Sequence, residues 1–264
     1  MSIQSSEEYE KQGLSLLHSE RPAEALAVFA EGMRRFPGDA DLAMGTAMAR
    51  LGMGDFIHAT EILERLSVSH PGSAETLQAL AEAYLARGMI GEAVRAANSA
   101  ADGAKEDARQ LSRLGRSFYS WRRYREAVPY YELATEASPD WSEAWFGLGA
   151  CRWALNQAAG AESALRRAAR LDPKDWQAKQ FLGCLLCDVG RKDEARGMLE
   201  AVPLDVPWQR PALERLVALS WWPSDEKRAR RMEDLWRGTM GGAAPRGMTD
   251  VMAEVSGKMD GPFA

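Results

Sequence analysis

The sequence predicts an all-α chain built from repeated helix pairs, and three observations carry that expectation. Prolines recur at Pro37, Pro71, Pro139, Pro173 and Pro207, with Lys105 in the one vacancy, so the step is 34 residues throughout. Alanines keep the same step at Ala25, Ala59, Ala93, Ala127, Ala161 and Ala195, and a third series of small residues keeps it at Gly13, Ala47, Ala81, Gly115, Gly149 and Gly183. A fixed period of this length means that each unit is one supersecondary motif, which buries its apolar face by stacking on its neighbours. Abundant Ala and a low content of β-branched residues agree with helices rather than sheets.

The elements follow in order. Residues 1–5 form an N-terminal extension, and units start at residues 6, 40, 74, 108, 142 and 176. Each unit reads as two helices. In the fifth, Trp145, Leu148, Gly149 and Arg152 lie along the first helix, while Ala161, Leu165 and Ala168 recur at helical spacing along the second. Pro173 ends the unit, because proline lacks the amide hydrogen that a helix interior needs. Gly or Ala where two helices cross lets their backbones approach. Units two and three carry Ala43, Arg50, Ala97 and Lys105 where larger apolar residues are usual, and are expected to be the softest.

A degenerate seventh unit runs from Arg210, with Leu213, Leu216, Ala229 and Trp236 in register and Pro223-Ser224 between its helices. Glu233 stands where Phe29, Leu63, Tyr131, Leu165 and Leu199 stand elsewhere, as suits a terminal cap whose outer face meets water. The frame ends at Arg237. Residues 238–264 read as a tail that opens with a flexible Gly-rich stretch, Gly238 to Pro245. Beyond it Met248, Val251, Met252, Val255 and Met259 recur at spacings of three and four. That segment reads either as a disordered tail with chance periodicity or as a short amphipathic helix that docks in the chain's own groove or a neighbour's.

At the three small-residue and proline series the chain resembles the tetratricopeptide-repeat family, from about Ser6 to Arg237. The resemblance implies a right-handed α-solenoid of fourteen helices in antiparallel pairs, six clear units plus a capping unit, without strands. It also implies that first helices line a concave surface that holds a peptide or helix of a partner protein. The groove positions carried over from the family are Arg109, Ser112, Arg116 and Tyr119 in unit four, Phe146 and Trp153 in unit five, Gln177 and Gln180 in unit six, and Trp221 in the cap. Aromatic anchors beside arginine have the composition of binding hot spots. Packing between units is the competing reading for Trp153 and Trp221. The lysine-and-asparagine clamp of some family members is absent, since Glu10, Leu14, Gly45, Glu75 and Ala79 stand at its positions.

Charge and composition narrow the classes of function. Residues 1–108 carry 9 Lys/Arg against 17 Asp/Glu, residues 109–237 carry 22 against 18, and all nine tryptophans fall at Trp121 or later. A net charge of -5 argues against general nucleic-acid binding. No apolar run approaches the ~20 residues that span a bilayer, so membrane insertion is not expected. The absence of a signal-like N-terminus and the sparse Cys151, Cys184 and Cys187 point to a reducing, cytoplasmic setting.

Catalysis is not expected either. Cys184 and Cys187 lie one turn apart on one helix and read as packing residues rather than a redox or metal pair. His18, His58 and His70 belong to other units, so no metal and no cofactor is expected. Arg109, Arg113 and Arg116 share one helical face, as a solvated ridge or a binding strip. The leading function is therefore a non-catalytic adaptor or scaffold. The first alternative is a bacterial secretion chaperone of the same repeat class, suggested by the stretch from Phe146 to Arg152. The second is single-stranded RNA binding through the arginines and tryptophans.

Overall fold

The structure is a computed structural model that describes residues 5–203, 206–220 and 238. Among the described residues there are thirteen helices and no strand, in an all-α helical repeat. The chain divides into two compact units, residues 1–126 and 127–264. Unit 1 holds α1 (Ser6–His18), α2 (Pro22–Arg35), α3 (Ala40–Gly52), α4 (Phe56–Ser69), α5 (Ala74–Ala86), α6 (Ile90–Gly103) and α7 (Ala108–Ser120). α8 (Tyr124–Ala137) contains the boundary. Unit 2 holds α9 (Ser142–Ala154), α10 (Ala158–Leu171), α11 (Trp176–Asp188), α12 (Lys192–Glu200) and α13 (Arg210–Ser220). The second helix expected after Pro223, Trp221 itself and the Met248 to Met259 segment lie outside the described residues.

Odd-numbered helices begin on the repeat register, and their caps explain why. Ser5, Asp39, Ser73, Asp107 and Asp175 stand one residue before α1, α3, α5, α7 and α11, and each side chain accepts a backbone N–H of the first turn. Trp141 occupies the same place before α9 and supplies no side-chain cap. The turn inside each pair is equally periodic. Glu20, Gly54, Gly88, Arg122, Asn156 and Gly190 all have φ between 56° and 80°, the left-handed region that costs a residue with a Cβ about 1–2 kcal/mol.

Packing then sorts the helices into two layers within each unit. In unit 1 each helix packs on the next, and α1 with α3, α3 with α5 and α5 with α7 also touch directly. In unit 2 the same holds for α9, α11 and α13, so first helices adjoin one another. The small-residue series marks the crossing of each pair. At Gly13 the ring of Phe29 fills the space a Cβ would need; at Gly149 such an atom would lie 2.7 Å from Leu165 Cγ and at Gly183 2.5 Å from Leu199 Cγ. Those large second-helix residues are fully buried. α6 differs, because its buried face is Ala93, Ala96, Ala97, Ala100 and Ala101. Apolar stabilisation scales at roughly 25 cal/mol per Å² buried, so an alanine face contributes less than one built on Phe or Leu.

Candidate functional site

The first-helix layer of unit 1 is built around α7. Leu111, Leu114, Gly115 and Phe118 face the interior, which leaves Arg109, Arg113, Arg116 and Ser120 exposed at spacings of four, three and four, one continuous strip. Polar side chains join α7 to α5. Gln110 Nε2 donates to Gln78 Oε1 at 2.9 Å, Gln78 Nε2 donates to Glu82 Oε1 at 3.1 Å, and Ser117 Oγ donates to the same Glu82 oxygen at 2.6 Å. A hydroxyl bond to a carboxylate is short and strong, so the Ser117–Glu82 contact reinforces the Gln110–Gln78 link between the two helices.

Next to this ladder lies a cavity of about 420 Å³. Arg113, Arg116, Ser117 and Ser120 of α7 line one side, and Gln78, Glu82 and Ala86 of α5 another. Leu51 from α3, Phe56 from α4 and Trp121 just after α7 add the apolar lining. Trp121 is 46% exposed, a large ring held at the surface.

In unit 2 the first-helix layer is closed. Trp153 packs edge-on against Phe181 with centroids 5.6 Å apart, and Phe146 meets the same ring at 4.9 Å. Trp153 is only 6% exposed; its indole N–H donates to Asp188 Oδ2 at 3.1 Å, and Arg215 Nη2 donates to Asp188 Oδ1 at 2.7 Å. Gln180 is fully buried and binds backbone at both ends: its Nε2 donates to Pro207 O at 3.0 Å, and its Oε1 accepts from Gln209 N at 2.6 Å. These contacts tie α9, α11 and α13 into one seam.

The residues expected to face a ligand thus divide. Arg109, Arg116 and Gln177 are exposed, and Tyr119 and Phe146 are half-buried. Tyr119 stands edge-on to Tyr124, with centroids 5.4 Å apart. Ser112, Trp153 and Gln180 are buried. Phe181 of α11 covers the Trp153 ring, and the Gln180 amide is bonded to Pro207 and Gln209 just before α13. Glu82, Phe56 and Trp121 were not in the expected set, and Arg113 was read only as part of an arginine strip, either solvated or binding, and not as a groove position. Arg113 was legible as one turn from Arg116 on the same face, whereas Phe56 and Trp121 flank turns, where helical register gives no direction.

The cysteines sit in poor surroundings for chemistry. Burial pushes the Cys151 and Cys184 thiols up to about 12 and Cys187 up to about 11, which keeps them protonated. Among the described residues no group of three or more His, Cys, Asp or Glu is arranged to hold a metal ion, and no helix is long and apolar enough to cross a membrane.

Helix pairs repeated every 34 residues, with first helices adjoining one another, define a tetratricopeptide-repeat protein. The family model described as Cilia and flagella-associated protein 70 C-terminal domain matches residues 18–202, and the chain belongs to that family. Superkiller protein 3 of Schizosaccharomyces pombe is 25% identical over 207 residues, 74% of this chain, and the chain spans 15% of that relative's length. A tetratricopeptide repeat protein from Parabacteroides merdae superposes with a TM-score of 0.62 at 14% identity, covering 96% of this chain and all of the other. YrrB, a tetratricopeptide protein with an unusual peptide-binding site, gives 0.50 at 19% identity over 70% of this chain and 95% of its own.

Proposed function

We propose that the chain is a non-catalytic adaptor that holds a segment of a partner protein on the first-helix layer of unit 1. The single observation that carries this is the cavity beside α7, where an exposed tryptophan and two exposed arginines meet an apolar floor. Binding energy at protein interfaces concentrates in Trp, Tyr and Arg around a desolvated pocket, and this cavity has that composition. The peptide-binding site of YrrB, a neighbour of the same fold, supports a peptide as the class of ligand here. Of the residues expected from sequence, Arg116 lines this cavity, Arg109 is exposed on the same helix and Tyr119 is half-buried there, while on unit 2 Gln177 is exposed and Phe146 half-buried.

The test is site-specific photo-cross-linking in the native cell. A benzophenone side chain at Ser120, on α7, should yield an adduct with another protein. The same group at Ser99, an exposed position on the second helix α6, should not. Adducts at Ser99 and none at Ser120 would move the interaction off this surface.

A further inference from the structure

The cavity in unit 1 carries a chemistry that is unusual for its surroundings. Between Ala108 and Arg125 the chain has six arginines, Arg109, Arg113, Arg116, Arg122, Arg123 and Arg125, and no aspartate or glutamate. All six are exposed. The chain before them carries 9 Lys/Arg against 17 Asp/Glu, so the arginines form a basic island on an acidic body. Two of them, Arg113 and Arg116, line the cavity itself, beside Trp121 and Phe56.

We infer that this cavity takes an acidic peptide, a short extended segment of a partner protein in which carboxylates flank an apolar residue. The carboxylates meet Arg113 and Arg116, whose forked guanidinium groups match a carboxylate with two parallel hydrogen bonds. The apolar side chain enters between Leu51, Phe56 and Trp121, and the volume of about 420 Å³ falls in the range of roughly 300–1,000 Å³ typical of small-ligand pockets. Glu82 adds the orienting group. Both of its hydrogen bonds within the ladder fall on Oε1, and Oε2 is an acceptor for a peptide N–H.

Charge distribution favours a peptide over a nucleic acid. Single-stranded RNA carries a charge at each nucleotide and is held by a basic track with successive stacking rings. Here the basic island is short, the helices before it are acidic, and Glu82 stands in the cavity wall where a phosphate would meet repulsion. A peptide with two carboxylates needs no longer track than Arg113 and Arg116 provide.

This inference deepens the proposed function and rests on it, and the test separates the two. Fluorescence anisotropy with the full chain would compare a labelled peptide carrying aspartates on both sides of a leucine with the same peptide carrying asparagines. The aspartate peptide should bind at least about tenfold more tightly, and added salt should narrow the difference. Arg113→Glu with Arg116→Glu should remove the preference and transfer it to a lysine-flanked peptide. Arg113→Gln alone, checked by circular dichroism, serves if the double variant does not fold, and should weaken aspartate-peptide binding several-fold. Equal binding of the two peptides, or an unchanged preference in the arginine variants, would overturn the inference. So would a uridine oligonucleotide that displaces the peptide and binds more tightly. A Ser120 cross-link to a protein together with no peptide binding would overturn the acidic chemistry and leave the surface standing. Absence of that cross-link as well would remove the surface too.

Discussion

The first-helix layers of the two units share one backbone register and differ in what fills it. In unit 2 the ring of Phe181 on α11 covers Trp153 on α9. At the same register in unit 1 the chain has Ala79 on α5 and Arg113 on α7. The small Ala79 does not close over Leu51 on α3, which is left half-buried and lines a cavity, whereas Leu85 on α5, which is paired with Arg113, is buried. Repeat position fixes where a Cβ points, but the size of the residue on the next helix decides whether that side chain meets a partner or a wall.

Breaking the closed layer should have the largest effect. Trp153→Ala should lower stability by about 3–5 kcal/mol, the usual cost of deleting a buried aromatic ring, read from the thermal unfolding midpoint. A loss below about 1 kcal/mol would mean that the ring is not packed as a core residue. Gln180→Ala, in the same layer, leaves Gln209 N–H and Pro207 O without their partner and should cost about 1–3 kcal/mol by the same measurement. Unchanged stability there would show that the seam between α11 and α13 does not depend on its polar staple.

Smaller changes sharpen the contrast. The turn inside each pair is left-handed in both units, so Arg122→Gly in unit 1 and Asn156→Gly in unit 2 test a feature the units share. Relief of strain exceeds the added chain entropy for Arg122, and stability should rise by about 0.5–1 kcal/mol; Asn tolerates this region, and Asn156→Gly should change little. Equal gains at the two positions would contradict that account. Trp121→Ala should have the smallest structural effect, within about 1 kcal/mol, because nearly half of the residue is exposed and the rest lines a cavity instead of a packed core. Its consequence should appear instead as weaker capture of the partner at the Ser120 cross-linking site. A variant as destabilised as Trp153→Ala would make Trp121 a core residue.

Much of the fold is legible in the amino-acid sequence. The 34-residue step places the starts of α1, α3, α5, α7, α9, α11 and α13, because capping, helix crossing and interhelical turn repeat with it. The capping series of Ser5, Asp39, Ser73, Asp107 and Asp175 keeps the same step and is a further sequence signal beside the prolines and alanines. The candidate site is legible only in part. Arg109 and Arg116 lie on the exposed strip, but the same positional rule that selects them also selects Ser112, Gln180 and Trp153, which are buried.

By itself the sequence determined the helix pairs, their period and the crossings where Gly13, Gly149 and Gly183 admit Phe29, Leu165 and Leu199, since each of these is set by residues within one repeat. Only the tertiary structure decided which first-helix side chains are accessible. That outcome depends on residues one repeat away, Phe181 over Trp153 or Pro207 and Gln209 around Gln180, and on Phe56 and Trp121 beside turns. Local spacing fixes direction along one helix, whereas exposure is a property of the space that neighbouring helices leave unfilled.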